Sequence, residues 1–181
     1  MVDLYKLERG GFLRPFGCAE FVKLYLSGRA PYGSSKIDPE IGACQSDIFR
    51  EYKMALLRAT ALDRAVRAEE KAAKKEKRLI DPENIQILAV RVLSRMSYKS
   101  WGCRYHSFVT YFSNLVRLGW VEATGQEEPS EFQEHYPPGQ PKKYFRLTPK
   151  GKKASNAAWA ARARRSTRKR IRLATPDFIN L

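Results

Sequence analysis

The sequence has few of the residues on which catalysis or a disulfide framework depends. Among its 181 residues there are two histidines and three cysteines, and no Cys-x-x-Cys pair occurs. A glycine-rich phosphate loop and a Gly-x-Ser-x-Gly nucleophile motif are also missing. These absences argue against an enzyme, and three separated cysteines are typical of reduced thiols in a cytosol. We therefore expect a non-enzymatic cytoplasmic protein without a cofactor.

Metal ligands are equally sparse. Cys103 and His106 have the spacing of two ligands, and Cys18, Cys44 or His135 could supply others. No second closely spaced pair completes a tetrahedral set. The sequence thus predicts no metal site, and each cysteine is expected to be a small buried hydrophobic residue.

Long hydrophobic runs are absent as well. The longest stretch without Asp, Glu, Lys or Arg runs from Tyr105 to Val116, which is too short to span a bilayer and contains Ser, Thr and Asn. The N-terminus mixes both charge signs and has no apolar segment of the type that a secretory signal needs. We expect a protein that neither crosses a membrane nor is secreted.

What the sequence has in excess is positive charge, with a net charge of +15 and a pI of about 9.9. Residues 142–172 hold nearly the whole surplus, because they contain thirteen Lys and Arg and no acidic residue. Such a segment neutralises phosphates and releases counterions, which favours nucleic acid as the partner. For residues 161–172 the alternatives are a localisation signal or a basic helix at a membrane surface. The charged residues are Lys142, Lys143, Arg146, Lys150, Lys152, Lys153, Arg162, Arg164, Arg165, Arg168, Lys169, Arg170 and Arg172.

The N-terminal half is predicted to be helical. Residues 15–27 suit a short helix that Gly28 ends, and Asp38-Pro39-Glu40 is typical of the start of a longer one. Apolar residues then recur every seven positions with others interleaved, which predicts an apolar seam. We expect the seam either to pack on the protein's own helices or to form a homodimer through helix 38–66. The seam residues are Ile41, Ile48, Tyr52, Ala55, Ala59, Leu62 and Val66. The charged segment 67–78 follows, and a domain boundary is predicted near residue 79.

Two further helices are predicted beyond that boundary. Residues 82–96 are expected to form a well-buried helix, and residues 104–118 an amphipathic one. The apolar face of the second helix comprises Tyr105, Phe108, Phe112, Leu115 and Val116. Its opposite face carries short polar and cationic side chains of the kinds that reach base edges and phosphates from a major groove. The expected nucleic-acid-binding residues here are His106, Ser107, Thr110, Asn114 and Arg117, with Lys99 and Arg104 before them.

Two strands are predicted next, at residues 120–123 and 142–147, joined by a loop rich in Pro and Gly. The segments LVRLGWVE at 115–122 and KKYFRLTPKGKKA at 142–154 resemble the end of MarR-like and PadR-like winged-helix regulators. The resemblance covers about residues 82–160. It implies that helix 104–118 is the recognition helix and that Thr-Pro-x-Gly at 148–151 leads into a C-terminal helix.

The hairpin departs from that family in its charge, since residues 119–141 contain glutamates and no Lys or Arg. A phosphate backbone would repel it, so its tip is not expected in a minor groove. Segment 122–134 is expected to be either a solvated loop or a docking surface for a second subunit, a protein partner or the protein's own arm. The glutamates are Glu122, Glu127, Glu128, Glu131 and Glu134.

Together these patterns predict a mainly α protein with a small β-hairpin. Its parts are a helical N-terminal region at 1–79, a winged helix-turn-helix domain at 80–154 and a basic helical arm at 155–181. The predicted function is sequence-specific binding of double-stranded DNA in transcription regulation, with base readout by helix 104–118 and phosphate contacts by residues 142–172. In a prokaryote the protein would associate with the nucleoid. The alternative is a structural subunit of a larger DNA or RNA assembly whose winged domain mainly contacts protein.

Overall fold

The computed structural model describes residues 16–98, 104–130 and 139–159. These residues form a mainly helical protein with a small antiparallel sheet, as the sequence predicted. The helices are α1 (Cys18–Leu26), α2 (Gln45–Glu76), α3 (Pro82–Ser94), α4 (Tyr105–Arg117) and α5 (Pro149–Lys153), and the strands are β1 (Ala43–Cys44), β2 (Val121–Glu128) and β3 (Lys142–Leu147). In these ranges no helix combines the length and the apolar character needed to cross a bilayer.

The sheet has three strands in the order β1-β3-β2, and both pairs are antiparallel. The β2–β3 hairpin confirms the two predicted strands. The two-residue strand β1 was not predicted. It pairs with Tyr144 and Phe145 along the edge of β3 opposite β2. Gly42 makes this approach possible, because it has a positive φ and a side chain there would overlap the Phe145 carbonyl group. The sheet therefore joins the N-terminal part of the chain to the hairpin.

A single hydrophobic core combines residues from both ends of the described chain. It contains residues of α1, α2 and α4, both hairpin strands and Trp159. Residue 79, where the sequence placed a domain boundary, lies in the turn between α2 and α3. The division into three parts stays a prediction. The largest fully buried core residues are Trp159, Tyr52, Phe21, Phe108, Phe112, Leu26 and Ile48.

Helix α1 confirms the predicted short helix. It ends at Leu26 with Ser27 as its C-cap, and Gly28 follows with a φ of 77°. The predicted helix start at Asp38-Pro39-Glu40 is wrong, because α2 begins at Gln45. The Asp38 carboxylate instead accepts a hydrogen bond from the Glu40 backbone N–H at 2.9 Å, within a turn. Asp competes for backbone N–H groups in turns as readily as at helix starts, so the same tripeptide fits both.

The middle residues of the predicted apolar seam pack in the protein's own core. Ile48, Tyr52 and Ala55 are fully buried there. Ile41, in the turn before β1, and Leu62 are both exposed. The predicted alternative of packing on the protein's own helices thus holds for these middle residues, and a homodimer through helix 38–66 stays a prediction.

The helix predicted at 82–96 exists as α3, but the prediction that it is well buried is wrong. None of its residues is buried, and it packs along α2. Its N-cap is Asp81, whose carboxylate accepts from the Glu83 backbone N–H at 2.9 Å. Apolar residues lie on both sides of this helix, but the hydrophobic core of the described residues contains none of them.

The turn between α2 and α3 is organised around Glu69, whose side chain is fully buried. The Arg78 guanidinium donates to both carboxylate oxygens, the Asp81 backbone N–H donates at 2.9 Å, and the Asn84 amide donates at 2.5 Å. These donors stabilise the charged form and hold the pKa of Glu69 at about 2. One carboxylate therefore fixes the tip of the α2–α3 hairpin.

Candidate nucleic-acid interface

Helix α4 is fixed in the molecule by its aromatic underside. Phe108, Phe112 and Leu115 are buried. The Phe112 ring centroid lies 5.0 Å from that of Phe145 on β3, and the Phe108 centroid lies 5.3 Å from that of Phe49 on α2. The two outer members of the predicted apolar face, Tyr105 and Val116, are partly exposed instead. The underside thus consists of three residues that dock α4 on α2 and the sheet.

The opposite side of α4 is open to solvent among the described residues. His106, Ser107 and Arg117 are exposed, and Thr110 and Asn114 are half-buried. The helix contains no acidic residue. Its 13 residues give a length of about 20 Å. We call the outward residues His106, Ser107, Thr110, Ser113, Asn114 and Arg117 the outer face of α4.

Sequence reasoning missed Ser113, although its position could have been found. It is exposed and lies three residues after Thr110 and four before Arg117. Side chains at such intervals share one side of a helix. Ser113 therefore belongs to the outer face and lies at its edge, next to Val109 and Val116.

Some polar groups of the outer face bond to one another in the free protein. The Thr110 hydroxyl donates to the His106 carbonyl at 3.1 Å, and the Arg117 guanidinium donates to the Asn114 side-chain oxygen at 2.8 Å. This contact uses only the side-chain oxygen of Asn114, so the amide N–H groups of the same side chain can still donate to a ligand. The Arg117–Asn114 contact also orients both side chains before any ligand binds.

The cations of β3 lie opposite the glutamates of β2. Register places Arg146 across from Glu122 and Lys143 across from Glu127, with N–O distances of 3.0 Å and 3.5 Å. The Tyr144 hydroxyl donates to Glu128 at 2.7 Å, and this hydrogen bond raises the pKa of Tyr144 to about 12. The described glutamates of segment 122–134 are thus balanced by the neighbouring strand. Glu131 and Glu134 lie outside the described residues.

The cations after β3 are also engaged. Glu40 lies 3.4 Å from Arg146 and 3.3 Å from Lys152, and the Lys150 ammonium donates to the Leu118 carbonyl at 3.0 Å. Exposed ion pairs of this kind contribute little to stability and exchange readily. Lys153 is exposed, and Lys142 lies across from Glu128. Phosphate contacts by Arg146 and Lys152 therefore compete with a carboxylate of the same molecule.

The basic arm begins at a fixed point. The Thr148 hydroxyl accepts from the Gly151 backbone N–H at 3.0 Å, as the predicted Thr-Pro-x-Gly turn implies. Residues 156–159 are helical. The Trp159 indole is buried, and its ring centroid lies 4.7 Å from that of Trp120. Its N–H donates to the Gly151 carbonyl at 3.2 Å. Trp120 follows α4 almost directly, so Trp159, the last described residue of the arm, lies close to the C-terminal end of α4.

The remaining predicted binding residues lie outside the described residues. They are Lys99, Arg162, Arg164, Arg165, Arg168, Lys169, Arg170 and Arg172. Cys103 and His135 are also outside. Within residues 16–98, 104–130 and 139–159, no three His, Cys, Asp or Glu side chains come together as a possible metal site.

Comparison with known proteins gives no relative. No family model matches the chain, and neither a curated protein nor a solved structure matches it.

Proposed function

We propose that the protein is a winged helix-turn-helix protein that binds double-stranded DNA through the outer face of α4. The observation that carries this proposal is the two-sided character of α4. Its aromatic underside is buried in the core, while its outer face is polar, without acidic residues and open among the described residues. A helix anchored in this way can enter a major groove and present side chains to base edges.

The order of the elements supports the winged-helix assignment. Helices α1, α2 and α4 surround the core, α4 comes last, and the β2–β3 hairpin follows it. In this proposal α2 is the first helix of the helix-turn-helix and α4 is its recognition helix, although α3 lies between them in the chain. The connection between α2 and α4 is then far longer than the short turn of a simple helix-turn-helix, because it contains α3.

The distribution of charge supports two separate tasks. On α4, hydrogen-bonding side chains can distinguish bases, whereas the arm after Trp159 supplies cations that contact phosphates of any sequence. The cations of β3 are already paired with glutamates. Affinity therefore comes mainly from the arm, and sequence preference from α4.

Selection from random duplex DNA with the full chain at near-physiological salt tests the proposal. We expect a preferred sequence to be enriched. Thr110→Ala, Ser113→Ala and Asn114→Ala should each weaken binding to that sequence by about 1–3 kcal/mol where the side chain contacts a base, and random DNA much less. Gln86→Ala is a matched control, because Gln86 is a polar exposed residue of α3. Absence of enrichment, or equal losses on all sequences, would contradict the proposal.

A second candidate is a structural subunit of a larger nucleoprotein assembly. The observation that favours it is the pairing of Lys143 and Arg146 with Glu127 and Glu122, which makes the hairpin poorly suited to phosphate. In this role the hairpin contacts protein and the arm follows RNA or DNA. Purification of a salt-resistant complex with defined protein partners, and without a preferred duplex, would favour this candidate.

A further inference from the structure

The side of α3 that points away from α2 carries exposed apolar residues. Ile87 is 58% exposed and Val90 is 68% exposed. Glu83 and Ser94, which are also exposed, lie on the same side at intervals of three or four residues. We call Glu83, Ile87, Val90 and Ser94 the outer stripe of α3.

The other side of α3 is apolar too. Ile85, Leu88 and Val92 are half-buried where α3 packs along α2. A helix that is apolar on both sides is usually covered on both. The turn before α3 adds Leu79, which is 90% exposed, and Ile80, which is half exposed. They are further exposed apolar residues close to the start of the helix, and a concentration of exposed apolar side chains marks an interaction site.

The charges at the two ends of α3 identify the partner. Glu83 lies in the first turn, and Arg91 and the C-cap residue Arg95 lie at the other end. If two α3 helices run antiparallel about a two-fold axis, Ile87 of each copy meets Val90 of the other. Glu83 of each copy then lies near Arg91 and Arg95 of the other. A parallel arrangement would bring like charges together. The surface is therefore complementary to itself in one orientation.

We propose that two copies of the chain form a dimer through antiparallel contact of the outer stripes of α3. This contact differs from the seam of α2, whose middle residues are buried within one copy. It also requires no nucleic acid. Failure to dimerise would therefore leave the role of α4 untouched, and failure to bind DNA would leave the dimer untouched.

Sedimentation equilibrium of the full chain without nucleic acid, over a range of concentrations, tests the proposal. We expect a dimer for the natural sequence. Ile87→Asp and Val90→Asp should each raise the dissociation constant at least about tenfold, with an unchanged circular dichroism spectrum. Ile41→Asp is the matched control, since Ile41 is 47% exposed and belongs to the predicted seam. A monomer at every concentration, or a dimer that both α3 variants leave intact, would overturn the proposal.

Charge reversal tests the orientation and keeps the apolar residues in place. In Glu83→Arg both ends of α3 are positively charged. In the variant that combines Arg91→Glu with Arg95→Glu, both ends of α3 are negatively charged. Each variant alone should dissociate at least about tenfold more readily than the natural dimer, whereas a mixture of the two should form heterodimers. One chain with all three changes should recover the homodimer, because an antiparallel pair again joins opposite charges. Unaltered self-association of Glu83→Arg and of the Arg91→Glu/Arg95→Glu variant, or no recovery in the triple variant, would overturn the antiparallel contact.

Discussion

Helices α3 and α4 have the same length, 13 residues each, and both contain many apolar residues. In α4 the large buried residues lie on one side, where α2 and the sheet meet them. In α3 the apolar residues lie on both sides, and none is buried. The two helices show that burial depends on how many neighbours surround a helix as well as on its own composition. They also leave two different surfaces, a polar one on α4 and an apolar one on α3.

The sharpest way to test this contrast is to remove one ring from the underside of α4. Phe112 is 1% exposed, and its ring packs against those of Phe108 and Phe145. Phe112→Ala should lower the free energy of unfolding by about 3–5 kcal/mol, because it removes buried apolar surface and leaves a cavity. Urea unfolding measures the loss. Val116→Ala on the same helix is the control, since Val116 is partly exposed and should lose much less.

A smaller loss is expected just beyond α4, where the arm is anchored. A Cβ atom at Gly151 would overlap the backbone carbonyl of Trp120. Gly151→Ala should therefore destabilise the protein by about 1–3 kcal/mol through overpacking. Gly17→Ala is a suitable comparison, because a Cβ there meets nothing within 4 Å. Thermal unfolding of the two variants should rank Gly151→Ala well below Gly17→Ala, and similar melting temperatures would contradict the close contact.

The α2–α3 hairpin should respond to pH through Glu69. Its folded pKa of about 2 is below the ordinary value of 4.5 expected in the unfolded chain. Its stabilising contribution is therefore complete above about pH 4.5 and is lost as the pH falls towards 2. We expect this effect to be local to the hairpin, because α3 lies outside the described core.

Hydrogen exchange of α3 amides measures this effect. In the natural protein, exchange of these amides should accelerate relative to the core amides between about pH 4.5 and pH 2. In Glu69→Gln it should be fast at every pH, since the charged partner of Arg78 is missing. Equal protection of α3 in both proteins at pH 7 would show that Glu69 does not hold the hairpin.

Hydrophobic spacing allowed much of this arrangement to be predicted from the sequence. It located both sides of α4, and the loop rich in Pro and Gly located the β2–β3 hairpin. The turn at Thr148 came from the resemblance to winged-helix regulators. Strand β1 was not predicted because two residues are too few to show a periodic pattern. The exposure of α3 escaped because spacing shows which residues share a side, but not whether a neighbour covers that side. The pairing of Lys143 with Glu127 required the strand register, which includes an irregularity between Ala123 and Glu127.

The smallest effect is expected on the outer stripe of α3 itself. At a protein concentration well below the dimer dissociation constant, Ile87→Ser should change the free energy of unfolding by no more than about 0.5 kcal/mol, because the side chain is already exposed within one copy. At higher concentration the natural protein should gain stability from dimerisation and the variant should not. Urea unfolding at both concentrations separates the two regimes. A loss of about 2 kcal/mol that is independent of concentration would mean that the stripe is covered within a single copy, and α3 would then resemble α4 rather than contrast with it.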